Sequence, residues 1–533
     1  MMSVKIDENF NEKRIVKFLR NLDHDDGRWF VPMVKFSFTE YACDLFDVLH
    51  REFRSRQGPP AYDRRKLFLA MSYASRFEVD HDLTKVARLC RTDKILEEIL
   101  GDDKPSNVTF DNFLSKSDGH IMKSLAICTV MEMNDLGFLD FSRLYTDSSD
   151  AKINGSVHYK VGKDEIEGIK LMNELGLLHN RSVKQMKVYR RRLEKIKKEN
   201  NSDTEMVKTI DHILKNFKLY DKRVYKKLDE MEQYLADDPE SYICIMFPES
   251  KFMKTKRGKF DFALLVQETM MKNGIILNSL VQSEPNDSKT LEEIIEDLED
   301  TFKILLDLQM MYGDRDNYKE IYDALKYAIH VLDSGYFTNE NLESAYFHNM
   351  KVLIMPRTIA RYNNDELRGR TPKTVKEVLE NFKKLTMREM KRIADGYLCL
   401  YNVKSRLVDE KIVNSAFNRE RADWDDVCKE KNYIFHTDCP CDCPYKDICD
   451  KEDFKVKMTP LKHQMLNKFT MIKFLKIYAE RFGANEQIHG YLKKDKSMLK
   501  LAGSNKHAAQ NHLYIKMITY NLRHKVKLKG TAD

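Results

Sequence analysis

The stretch from residue 259 to 356 restricts the fold of this chain more than any other part of it. KFDFALLVQETM (259–270) and GIILNSLVQSE (274–284) are two apolar runs joined by the short turn Met271-Lys272-Asn273, which predicts a β-hairpin. An acidic helix, LEEIIEDLEDTFKILLDL (291–308), follows. After it come the strand YAIHVLD (327–333), the turn Ser334-Gly335-Tyr336, a helix near 339–349 and the strand KVLIMP (351–356). Alternation of this kind indicates parallel strands with covering helices. A further short strand, Leu144-Tyr145-Thr146, stands upstream in FSRLYTDSSDAKING (141–155) and runs into a polar turn.

The rest of the chain reads as helical. RKLFLAMSYASRF (65–77) is apolar at helical spacing, Pro59-Pro60 precedes it as a start signal, and Thr84, Asp93 and Thr109 could cap later helices, so residues 30–135 form a helical unit. Residues 164–235 read as long charged helices whose most basic face is KQMKVYRRRLEKIKK (184–198). Beyond 370 the pattern is helical to about 420, then a Cys-rich loop spans 439–449, then helices continue to near the end. Twelve prolines and nineteen glycines are few for 533 residues, which agrees with an α+β, helix-rich class. The length exceeds what one core usually supports, so two to four structural units are expected.

The net charge of +7 hides an uneven distribution. Residues 181–235 hold 16 Lys/Arg against 9 Asp/Glu, and residues 491–533 hold 10 against 2, so the remainder is acidic. Segregated basic segments favour a polyanionic partner, and Arg64, Arg65, Lys66, Arg88 and Arg91 give the N-terminal unit a basic face too; a solvated helical face explains them equally well. No stretch has the apolar length to span a bilayer and MMSVKIDENFNEKR lacks a signal-peptide core, so the expectation is a cytoplasmic protein with no membrane partner. Six of the ten cysteines are scattered singly, which suits a reducing compartment.

Asp147 and Asp333 each follow a short apolar strand directly, a position used by site carboxylates and, more commonly, by turn and N-cap aspartates. Carboxylates on neighbouring strand ends and one helix are oxygen ligands for hard divalent cations, and two such cations roughly 4 Å apart can activate an attacking oxygen and stabilise a leaving one. Glu486, His489 and Lys493 stand at i, i+3 and i+7, one face of a helix. CPCDCPYKDIC places Cys439, Cys441, Cys443 and Cys449 within eleven residues; four thiolates could close a structural Zn²⁺ site, although C-x-C-x-C is tighter than usual, and reduced loop cysteines are the other reading.

Four of these segments resemble the motifs of bacterial insertion-sequence transposases of the DDE class. YTDSSDAKINGS (145–156) resembles the first-acid motif D-G-T-x-x-x-A-N, matched at Asp147 and Asn154, with Ser148, Ser149 and Ile153 in place of Gly, Thr and Ala. Residues 259–291 are similar to the family's Y-N-x-Q strand pair and following N-D at Gln267, Asn286 and Asp287. VLDSGYFTNENLESA (331–345) resembles D-x-G-Y at Asp333, Gly335 and Tyr336. YAERFGANEQIHGYLK (478–493) resembles Y-x-x-R…E-x6-K at Tyr478, Arg481, Glu486 and Lys493, with four residues between Arg481 and Glu486 where the family has three. Glu480 and Asp150 are weaker candidates, since Glu480 has no Lys seven residues on and Asp150 does not follow the strand directly.

The resemblance implies a ribonuclease-H-like catalytic domain over 139–525, with its core drawn from 141–156, 255–357 and 465–525, a helical insertion over 164–240 and a helical, Cys-rich insertion over 370–460. An N-terminal helical DNA-binding domain (1–138) and a basic tail (526–533) complete it. It further implies a transposase, associated with the nucleoid, that cleaves element ends and joins them to target DNA as a homo-oligomer on double-stranded DNA. Asp147, Asp333 and Glu486 would hold Mg²⁺ or Mn²⁺, and Tyr478, Arg481, His489 and Lys493 would contact DNA. A nuclease of the same fold without joining activity, and a DNA-binding relative without turnover, are the alternatives.

Overall fold

The computed structural model describes residues 10–22, 25–52, 62–153, 160–236, 241–245, 247–254, 260–284, 287–356, 391–393, 396–398, 404–412, 427–437, 453–469, 471, 473–481 and 500–532. The strands before residue 357 are β1 (Arg143–Ile153), β2 (Lys160–Val161), β3 (Ile243–Cys244), β4 (Lys251–Lys254), β5 (Phe260–Met271), β6 (Ile276–Gln282), β7 (Ile329–Leu332) and β8 (Lys351–Ile354). β5 and β6 form the expected antiparallel hairpin, and Gly274 at φ 85° supplies the left-handed residue that its tight turn requires.

β1 lies antiparallel to β5, with Leu144–Lys152 facing Met271–Ala263, while β7 runs parallel to β1 and β8 parallel to β7. The sheet therefore reads β6-β5-β1-β7-β8, antiparallel on one side of β1 and parallel on the other. β4 pairs with the start of β5, and β14 (Lys500–Leu501) pairs with the end of β1. The short strand expected at 144–146 is thus an eleven-residue strand that runs through the polar residues after it. The long β5 edge offers a ladder partner to each of them, and that pairing overrides the weak strand preference of Asp and Ser.

Among the described residues eight α-helices precede the sheet: α1 (Glu12–Arg20), α2 (Asp25–Ser37), α3 (Glu40–Glu52), α4 (Arg64–Ala74), α5 (Leu83–Leu89), α6 (Lys94–Leu100), α7 (Asn107–Lys116) and α8 (Gly119–Asp135). Asp93 caps α6 as expected, but α5 and α7 begin on Asp82 and Ser106, with Thr109 the reciprocal partner in a capping box. Five more lie between β2 and β3: α9 (Lys163–Glu174), α10 (Val183–Glu199), α11 (Thr204–Lys215), α12 (Lys222–Tyr225) and α13 (Leu228–Ala236). They enclose a core of their own, which includes Ile169, Leu193, Ile210, Ile213 and Met231. α14 (Leu291–Met311) and α15 (Tyr318–Tyr327) connect β6 to β7, and α16 (Asn339–Phe347) connects β7 to β8. α14 buries Leu291, Ile294, Ile295, Leu298, Phe302 and Leu305, an i, i+3, i+4 stripe that lies against the core. α17 (Pro460–Lys468), α18 (473–481) and α19 (Lys506–Ala532) complete the described helices.

Three expectations need correction. The described residues of 391–412 are not helical. They form β9 (Lys391–Ile393), β10 (Gly396–Leu398) and β11 (Lys404–Ile412), which join β12 (Lys431–Thr437) and β13 (Asp453–Met458) in an antiparallel meander. Each of these strands finds its partner in the next one along the chain, so a high content of Lys and Glu does not prevent pairing. The helical N-terminal unit has no separate core: Phe68, Phe110 and Leu125 belong to one cluster with Leu144, Phe302, Val331 and Ile518. Finally, 526–532, set apart above as a basic tail, is the end of α19, a 27-residue helix that packs on α7, α8 and β6. Among the described residues no helix is long and apolar enough to cross a membrane.

Candidate active site

The register of the central strands brings the two aspartates together. β1 and β7 pair in parallel through Tyr145↔Val331, and the same register carried two residues further sets Asp147 level with Asp333, the residue directly after β7. Asp333 is the N-cap of the short turn Ser334–Tyr336, its Oδ1 accepting from the Gly335 amide at 2.6 Å, so the capping role and a place in the site coexist. Asp147 Oδ1 accepts from the Ser148 amide at 2.9 Å and from Arg481 at 3.0 Å, and the same guanidinium lies 4.0 Å from Asp333 Oδ2.

Arg481 is the last described residue of α18 and only 9% of its side chain is exposed. The Tyr478 ring, one turn earlier on α18, lies 6.0 Å from the guanidinium carbon and packs edge-on against Phe469. Burial opposes the charge on Arg481, but Asp147, Tyr478 and Asp333 around it prevail, so its pKa stands above the ordinary arginine value. Burial, with Asp333 and Asp147 nearby, pushes the Tyr478 hydroxyl up to about 12, although Arg481 pulls the other way.

A third carboxylate joins this group. Asp287, at the start of the turn Asp287–Lys289 that leads into α14, accepts from Ser148 Oγ and from Gln267 Nε2, each at 3.0 Å. Tyr336 donates its hydroxyl to Gln267 Oε1 and is fully buried, which with Asp287 and Asp333 close by raises its pKa well above that of free tyrosine. Asn341 Nδ2 ties the backbone carbonyls of Asp287 and Tyr336 together at 2.9 and 3.0 Å. A Cβ on Gly335 would stand 2.8 Å from Asp333 Oδ1 and 3.0 Å from Asp287 Oδ2, so the glycine is what lets both carboxylates close on the turn. Beneath the acids, His330 contacts Thr146 Oγ1 and burial lowers its pKa to about 4, which keeps the ring neutral. Asp287, Gln267 and Tyr336 were visible in the sequence only as matches to family motifs, not as members of a site; what they lacked was a partner close in sequence.

The arrangement suits a hard cation. Its donors are carboxylate oxygens, a glycine leaves the space beside two of them, and a guanidinium already supplies positive charge where a cation would bind. Glu480 turns elsewhere, to Arg143, to Tyr145 Oη at 3.1 Å and to Lys272 at 3.6 Å. Asp150 stands opposite Leu265, three residues along β1 from Asp147. Glu486, His489 and Lys493, Asn154 and Asn286, and Cys439, Cys441, Cys443 and Cys449 lie outside the described residues. Elsewhere, Glu292, Glu296 and His348 bring one ligand atom each within 4.8 Å of one another at the contact of α14 with α16.

The basic residues divide into engaged and available ones. Arg64 and Lys66 are 4% exposed; Lys66 pairs with Asp103 at 2.8 Å and Arg65 with Asp63 at 2.8 Å, so the expected basic face on α4 is largely internal. In the C-terminal segment Lys516 is buried against Asp80 and Lys525 pairs with Glu132. By contrast Lys184, Lys187, Arg191, Arg192 and Lys198 on α10, and Arg88 and Arg91 near α5, are exposed. No known protein family, no curated protein and no solved structure matches the chain.

Proposed function

We propose that this chain is a DNA transposase of the DDE class, built on a ribonuclease-H-like core, in which Asp147 and Asp333 hold divalent cations and Glu486 completes the carboxylate set. One observation carries the reading: two aspartates 186 residues apart in sequence, one on β1 and one directly after the parallel strand β7, face one buried arginine. The segments 141–156, 255–357 and 465–525, named for that core on motif grounds, contribute β1, β5 to β8, and α18 with β14 and α19 to a single sheet-centred assembly. Residues of a second motif also gather beside the acids: Asp287 accepts from Ser148, next to Asp147, and from Gln267, which in turn accepts from Tyr336 of the Asp333 turn.

Mg²⁺ or Mn²⁺ at the acids would lower the charge barrier to attack on a phosphodiester by water or a 3′ hydroxyl. The chain's own part is to hold Asp147 by the Ser148 amide and Asp333 by the Gly335 amide, fixing both carboxylates before DNA arrives. The exposed cations of α10 would contact the phosphate backbone without reading sequence.

A strand-transfer assay tests the proposal. Duplexes made from the genomic DNA on either side of the reading frame, labelled at the strand to be cleaved, should yield cleaved and then joined products. Asp147→Asn, Asp333→Asn and Glu486→Gln should each abolish both while end binding in a gel shift persists. Cleavage without joining would replace the proposal with the nuclease reading, and binding without cleavage by the unaltered protein would leave a DNA-binding relative.

A further inference from the structure

We propose that Arg481 is a resident counter-cation for the acid site, which a divalent metal must displace in order to bind. The inference rests on the reading of Asp147 and Asp333 as a cation site, and adds a competition that the reading does not contain.

The guanidinium faces Asp147 at 3.0 Å and Asp333 at 4.0 Å, and it is seated rather than adrift, with the Tyr478 ring against it and little of the side chain exposed. A cation coordinated by both aspartates would need the same carboxylate oxygens and the same space. Arginine cannot vacate that space by losing its proton, so it must move. Movement without replacement would leave Asp147 and Asp333 near each other, with Asp287 close by; like charges so placed raise the free energy. Exchange is therefore coupled: the guanidinium stays while the site is without metal and leaves as the divalent charge enters. The apparent metal affinity is reduced by the fraction of molecules in which Arg481 occupies the acids. A released guanidinium, still charged, is then available to a phosphate.

Mn²⁺ binding to the full-length protein without DNA, measured by titration calorimetry, tests this. Arg481→Gln should bind Mn²⁺ about tenfold more tightly or better, the scale of one charge-assisted hydrogen bond. Asp333→Asn should lose binding. In the unaltered protein, modification of Arg481 by phenylglyoxal, read by peptide mass spectrometry, should rise as Mn²⁺ is added; this second readout decides the matter if Arg481→Gln fails to fold by circular dichroism. Equal or weaker Mn²⁺ binding by folded Arg481→Gln, while the unaltered protein binds and Asp333→Asn does not, would overturn the competition and leave the cation site standing. Labelling of Arg481 that is unchanged or falls at saturating Mn²⁺ would overturn it as well. If neither the unaltered protein nor Arg481→Gln binds Mn²⁺, the cation site and the competition fall together.

Discussion

Alanine at position 335 probes the acid site with a single methyl group. Gly335 does not have a positive φ, so the backbone itself admits alanine and any penalty comes from what the new Cβ meets. It would meet Asp333 Oδ1 at 2.8 Å and Asp287 Oδ2 at 3.0 Å, where ordinary contact begins at 3.4 Å, so each oxygen must retreat by about half an ångström. Neither carboxylate is free to do so at no cost. Asp333 Oδ1 holds the Gly335 amide, and Asp287 is fixed by Ser148 and Gln267. Overpacking of this kind costs about 1–3 kcal/mol, a modest loss for a chain of this size. The effect on the site should be of similar size in free energy but should fall directly on metal binding, because displacing the groups that orient metal ligands typically weakens metal binding by about 10–100-fold. Gly530→Ala is the control, since no atom lies within 4 Å of its Cβ position. Thermal unfolding and Mn²⁺ titration of the two variants should show a small shift in Tm for both and a loss of Mn²⁺ affinity for Gly335→Ala alone. Mn²⁺ binding by Gly335→Ala at the strength of the unaltered protein would refute the claim that this glycine sets the carboxylate spacing.

Four further outcomes are expected. Replacing Lys187, Arg191 and Arg192 on α10 with Gln should weaken binding to all duplexes alike and lower the slope of log affinity against log salt by about one for each phosphate no longer neutralised; an unchanged slope would remove α10 from the DNA surface. Asp80 is buried between Lys516 at 2.5 Å and His512 at 3.1 Å, which hold its carboxyl below the usual range although burial acts the other way, so Asp80→Asn should remove a buried carboxylate from beside the buried Lys516 and destabilise by about 3–5 kcal/mol in denaturant unfolding. His330 takes a proton near pH 6.5 when unfolded but only near 4 in the fold, so the unfolded state binds more protons in that window and stability should fall by about 1.4 kcal/mol per unit as pH drops from 6.5 towards 4; His512, lowered by burial, acts in the same sense, and a His330→Asn variant with an undiminished slope would refute the assignment. Cys439, Cys441, Cys443 and Cys449 lie in sequence between β12 and β13; if their thiolates hold zinc, metal analysis of protein purified without chelators should find about one zinc per chain, and finding none would leave the reading of reduced loop cysteines.

Much of the central sheet was legible along the chain because its signals are local. Two apolar runs and a short turn make the β5–β6 hairpin, a 3.6-residue stripe makes α14, and an Asp before Ser-Gly-Tyr makes the capped turn after β7. The helices of 164–235 were equally plain, for the same reason. Three things needed the tertiary structure. β1 continues through Asp147 to Ile153 only because β5 offers it an edge, and β9 to β13 pair with one another against a helix-like composition. Charge counts could not tell Arg64 and Lys66, which are buried and engaged, from Arg191 and Arg192, which face solvent, since burial depends on packing from distant elements. The acids themselves were named from sequence, but their common register, the approach of Asp287 and the seat of Arg481 are products of strand pairing between residues more than a hundred positions apart, and no local pattern encodes a distance of that kind.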